Sequence, residues 1–215
     1  GKGSSAVGYG VSSLWGGIAI GNAVTTKSYQ GFIDTSAGYD AVAIGQGVKA
    51  SGRFSQAIGY LSEATGEGST AIGYSAKASG EDSFAMGDCS SAKGEASVAI
   101  GSMSYTSDLG KNNIAIGGGA VNDGAAAFGA GSLAWGKNSA AIGANAATDG
   151  HYSVAIGNNS YAQAENAIAL GPNSVATEEN TISVGNDGSY QYRPDVFQRR
   201  IVNVAAAEKS TDALT

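Results

Sequence analysis

The residues that could do chemistry in this chain are few, and their spacing speaks against most of it. His151 is the single histidine, set beside Tyr152. A metal centre needs further His or Cys ligands at close spacing. None accompanies His151, which reads as an exposed corner residue. Cys89 is the single cysteine, so no disulfide can form within the chain. It aligns with Ser75 at a turn and is expected to have no role, with a bridge between subunits as the alternative. Gly117-Gly118-Gly119 lacks the Lys-Ser/Thr pair and the following helix of a phosphate loop. Asn122-Asp123-Gly124 resembles a calcium-binding turn but occurs once, whereas such sites need stacked copies. Serine is abundant because small polar residues recur throughout, so no Ser/His/Asp triad stands out. Glu81-Asp82, Glu95 and Glu178-Glu179 read as solvated corner residues. No catalytic residue, cofactor or metal is expected.

What positions these residues is a repeat. The cleanest copy is Ser97-Val98-Ala99-Ile100-Gly101. The pattern of apolar residue, Ala, apolar residue and Gly recurs thirteen times, closing at Gly8, Gly21, Gly45, Gly59, Gly73, Gly87, Gly101, Gly117, Gly129, Gly143, Gly157, Gly171 and Gly185. Most gaps are 14 residues. A fixed period of this kind marks a repeat architecture. Within one copy, Thr70-Ala71-Ile72 and Ala76-Lys77-Ala78 alternate like strands, and Gly73 and Gly80 punctuate two corners. Two strands and two corners per period make one coil of a flattened parallel β-solenoid. Stacked at the strand spacing, thirteen coils give a rod of about 60 Å. Helix is disfavoured by a glycine about every seven residues.

Three irregularities break the period. About ten extra residues fall near Lys27–Ser36, including Tyr29 and Phe32. They read either as a binding loop or as a cover over a neighbouring coil or subunit. Two residues enter near Tyr105–Gly110, and two leave near Gly124–Ala126. Trp15 and Trp135 each precede a glycine and are expected to cover a corner.

Alternate strand residues face opposite ways. The middle position is Ala in all copies but one, where Ser183 stands. Its flanks vary from Gln56 to Phe84 and Phe128. A narrow interior fits the Ala row, opposite Ala76, Ala78, Ser90, Ala92, Ser160 and Ala162. The flanking row then points outward: Val42, Ile44, Ile58, Ile72, Val98, Ile100, Ile114, Ile116, Ile142, Val154, Ile156 and Ile168. Such a stripe exceeds what a monomer ordinarily exposes, so these residues are expected to form an oligomer interface. The reverse assignment, with Val and Ile inside, stays open and would weaken that expectation.

The composition narrows the partners. The net charge is -6 and the pI about 4.7, which argues against nucleic acid. No run of 18 apolar residues is present, so no segment spans a membrane as a helix. The chain starts inside a repeat and reads as part of something longer.

The repeats resemble the head of the trimeric autotransporter adhesins, the YadA-like family. Ser97–Gly101 and Ser153–Gly157 carry its Ser-Val-Ala-Ile-Gly hallmark in full. Asn180–Gly185, Arg200-Ile201-Val202-Asn203-Val204-Ala205 and Thr211-Asp212-Ala213 resemble its neck. The stretch around Tyr190–Phe197 departs from that neck as an insertion, and the Lys27–Ser36 segment has no match in the pattern. The resemblance implies a homotrimer of left-handed parallel β-rolls, with a head over 1–185, a neck over 186–209 and a coiled-coil stalk starting at 210–215. It also implies display on the outer membrane of a Gram-negative bacterium, and non-enzymatic attachment to host extracellular matrix, cells or other surfaces. Outer-strand residues Lys49, Glu63, Lys77, Tyr105 and Tyr161 are candidate ligand contacts, together with Tyr29 and Phe32. A solenoid enzyme lacks support, because 14 is not a multiple of the six-residue acyltransferase period. A viral tail fibre, or a spacer without its own ligand site, is the alternative reading.

Overall fold

The computed structural model describes residues 3–13, 15–22, 35–37, 39–192 and 194–202. Two parallel sheets face each other through most of this length, one of 13 strands and one of 12, and consecutive coils are nearest neighbours in each. In sheet 1, strand Val98–Ile100 lies between Phe84–Met86 and Ile114–Ile116. In sheet 2, Lys77–Ala78 lies between Glu63–Ala64 and Ser91–Ala92. No helix occurs among the described residues.

The interior is a column of alanine. Ala71, Ala85 and Ala99 from sheet 1 face inward with Ala64 and Ala92 from sheet 2, all with no accessible surface. Ala76, Ala78, Ser90, Ser160 and Ala162 are buried with them. Thr106 and Thr148 take the same inward position of sheet 2 and are also fully buried, so the interior holds small side chains throughout. The Val/Ile row points out of the roll, which resolves the question left open by the sequence.

Two corner devices close each coil. At Gly73 the backbone has φ +134°, and a Cβ would stand 2.6 Å from the carbonyl oxygen of Gly87. At Gly80 it would stand 2.1 Å from that of Gly94. Glycine therefore recurs at both corners because the next coil's backbone fills the space of a side chain. The residue after each corner is usually a buried serine, whose hydroxyl donates back to the corner carbonyl. Ser69 Oγ bonds Gly66 O at 2.7 Å, and Ser83 Oγ bonds Gly80 O at 2.7 Å. These bonds satisfy hydroxyls that would otherwise be costly to bury.

The structure relocates two irregularities. The two extra residues do enter after Thr106, before strand Ile114–Ile116. The two missing residues leave at Gly117-Gly118, between Ile116 and strand Gly119–Ala120, and not near Gly124–Ala126. The corner there is two residues long, where Ile100 and Tyr105 are separated by four. Thr35 and Ser36, placed by the sequence reading in the insertion, belong to the strand Thr35–Ala37 that pairs with Val11–Ser13 and Lys49–Ala50. The rest of that insertion, with Tyr29 and Phe32, lies outside the described residues.

Candidate binding surfaces

Parallel in-register stacking turns every repeat position into a column along the rod. On sheet 1 two outward columns flank the buried alanines. One contains Val42, Val98, Ile114, Val154 and Ile168, and the other Ile44, Ile58, Ile72, Ile100, Ile116, Ile142 and Ile156. These side chains are half-exposed in the single chain, for instance Ile44 at 36% and Ile142 at 41%. Their flanks bury one another, while their tips form a continuous apolar stripe.

On sheet 2 the outward column runs Lys49, Glu63, Lys77, Ser91, Tyr105, Gly119, Leu133, Ala147, Tyr161 and Val175. The candidate contacts Lys49, Glu63, Lys77, Tyr105 and Tyr161 thus share one face, opposite the apolar stripe. Lys77 Nζ lies 3.6 Å from Glu63 Oε2, an exposed pair that adds little stability. The Tyr105 ring leans over Gly119, where a Cβ would stand 2.4 Å from it.

Tyr161 is not an exposed contact position. It is 7% accessible, because the tail after Gly185 folds back onto sheet 2. The Tyr190 ring sits 4.8 Å from its own, and its hydroxyl donates to Asp149 Oδ2. Burial, then the bond to Asp149, pushes the Tyr161 phenol far above its ordinary range. The sequence gives no sign of this, since the covering segment lies outside the period.

A charged column at one corner also escaped the sequence reading. Arg53, Glu67, Glu81, Glu95, Lys111, Asp123, Lys137, His151 and Glu165 occupy one position in successive coils, each carbonyl accepting from the following coil's backbone. Lys111 pairs with Glu95, and Lys137 Nζ lies 3.4 Å from Asp123 Oδ2. The Lys111 backbone N–H donates to Asp123 Oδ1 at 3.0 Å. That bond, with Lys137, holds the Asp123 carboxyl below its usual range. Both Asp123 oxygens thus face donors from within the chain, which disfavours calcium at this turn. His151 is exposed, and its Nδ1 accepts from the Lys137 backbone at 2.9 Å. The column was legible as charges 14 residues apart.

Cys89 is exposed, at the same left-handed corner position as Ser75, with φ 53° and 49°. The hydrogen bond from its thiol to the Asp88 carboxylate leads the effects that push the thiol up, away from the reactive thiolate. Trp15 and Trp135 are about half exposed at their corners.

A family model described as the YadA head domain repeat (2 copies) matches residues 36–62, 64–88, 92–120, 120–146, 134–160, 149–174 and 162–187. Among solved structures, the chain is similar to the collagen-binding domain of the Yersinia adhesin YadA. Identity is 28%, coverage is 94% of each chain, and the TM-score is 0.46. Comparison with curated proteins finds no match.

Proposed function

Because this chain belongs to the family of YadA head domain repeats, we propose that it is the non-enzymatic head of a trimeric bacterial surface adhesin. The observation that carries the reading is the run of family repeats from residue 36 to residue 187, coincident with the stacked coils. Three rolls join side by side through the Val/Ile columns of sheet 1. At about 25 cal/mol per Å² of apolar surface, covering a stripe this long favours association before entropy is counted. Sheet 2 and the corners then face outward, and Lys49, Lys77 and Tyr105 are the contact candidates of that face. In this reading residues 1–185 are the head, 186–209 a neck with an insertion and 210–215 the first residues of a stalk, those from 203 onward lying outside the described residues. The head projects from the outer membrane of a Gram-negative cell.

The partner is an extracellular matrix protein or another surface with repeated features. Three identical faces offer the same weak contact several times, so attachment rests on avidity. Surface-plasmon binding to immobilised collagen, fibronectin and laminin tests this. Retention should be strong for the assembled protein and at least about tenfold weaker for a monomeric variant. Equal retention of both forms, or none on any matrix or cell surface, would contradict the proposal.

A further inference from the structure

The tail that leaves the last coil does not simply depart. Asn186 and Phe197 exchange two backbone hydrogen bonds, of 3.0 and 2.9 Å, so the chain that leaves at Asn186 is back beside it at Phe197, forming a strap. The strap is fastened to sheet 2 through Tyr190 on Tyr161 and through the Thr177 and Ser189 hydroxyls, 3.2 Å apart. Asn186 Nδ2 also donates to Asp195 O at 2.7 Å, which holds the return closed. Beyond it, the Arg199 guanidinium lies over the Phe197 ring, 4.6 Å from its centroid. One Arg199 nitrogen donates to Ser174 Oγ at 2.8 Å and to Val184 O at 2.7 Å, and the other donates to Pro172 O.

The coil fastened in this way is the last of the stack. Its sheet 1 strand, Ile182–Ser183, has two residues and one neighbour. Stacked coils are held only by their neighbours, so a terminal coil frays first. A pull on the chain beyond residue 202, without the strap, would peel Ile182–Ser183 away one hydrogen bond at a time. Arg199 instead ties the departing chain to Pro172 and Ser174, at the start of the last coil, and to Val184 at its end. The pull then loads the guanidinium bonds and the Asn186–Phe197 pair together. Hydrogen bonds to a charged donor are among the stronger single contacts.

We propose that the strap and Arg199 form a terminal clamp, which carries tension from the departing chain into the body of the roll and keeps the last coil closed. The importance of tension rests on the adhesin reading, but the clamp is tested without any ligand. Hydrogen exchange on the full chain reads it directly. The amides of Ile168 and Val175 bond to Thr181 O and Gly185 O of the last coil. In Arg199→Ala they should exchange about tenfold faster or more, while those of Thr70 and Phe84 in mid-stack stay unchanged. Arg199→Lys, which keeps the charge but lacks the fork, should fall between. In single-molecule pulling through the two termini, Arg199→Ala should lower the force of the first step alone. Unchanged exchange at Ile168 and Val175 would overturn the clamp, as would faster exchange with an unaltered first-step force. Absence of adhesion by the parent chain, with both readouts as expected, would count against the adhesin reading and leave the clamp standing.

Discussion

Asn166 and Asn180 occupy the same corner of successive coils, both left-handed at φ 54° and 58°, and Asn166 Nδ2 donates to Asn180 Oδ1 at 2.8 Å. Left-handed backbone strains most residues, and asparagine is among the few that adopt it at little cost. The corner recurs at Asn138 and Asn112, but Ala96 and Phe54 hold it at φ 51° and 60°. Ala96→Asn should therefore stabilise the roll by about 1 kcal/mol, and Asn166→Ala should destabilise it by a similar amount. Thermal unfolding followed by circular dichroism checks both signs.

The interior around Ala99 leaves little room for growth. Ala99 has no accessible surface, and its register neighbours Ala85 and Ala115 have none. Ala99→Val should cost about 1–3 kcal/mol by overpacking. Ile100→Val, on the outer face of the same strand, should change the stability of a single chain by less than about 1 kcal/mol. Denaturant unfolding of both variants on one monomeric background makes the comparison. A larger effect at residue 100 would reverse the assignment of inside and outside.

Tyr161 makes stability fall at high pH. Its folded phenol titrates above its ordinary value of 10, chiefly because it is buried. Below pH 10 both folded and unfolded forms hold the proton, and the contribution is complete. Above it the unfolded chain releases the proton first, so stability drops as pH rises, by up to about 1.4 kcal/mol per pH unit for this one group. Tyr161→Phe keeps the ring and should flatten the stability profile between pH 10 and 11 relative to the parent. An unchanged slope would place the Tyr161 hydroxyl in water.

The coils were legible because one requirement recurs at one period. Gly73 and Gly80 mark corners where the next coil's backbone excludes a Cβ, and Ala99 marks the narrow interior. Both constraints act on residue type directly, so they survive as pattern. Compensating changes are harder to place. Any of the three consecutive glycines at 117–119 fits a corner by residue type, and the sequence does not reveal that the shortened corner holds only Gly117 and Gly118 while Gly119 opens a strand. The cover on Tyr161 was hidden for another reason. Tyr190 reaches it through a chain reversal that depends on Asn186 pairing with Phe197, a tertiary contact with no periodic trace. The charged column from Arg53 to Glu165 was readable in principle, since it needs only that residues 12–16 positions apart be compared as neighbours.

The apolar columns of sheet 1 carry the central claim, so association should be lost without unfolding when charge enters them. Ile100→Lys with Ile142→Lys should give a β-rich, cooperatively melting monomer, because both side chains project from the roll. Sedimentation equilibrium of the parent chain and this double variant is the most direct test. The account predicts three chains for the parent and one for the variant, with matching circular dichroism. A parent chain that sediments as a folded monomer would contradict it, and would move assembly and avidity to segments beyond the roll.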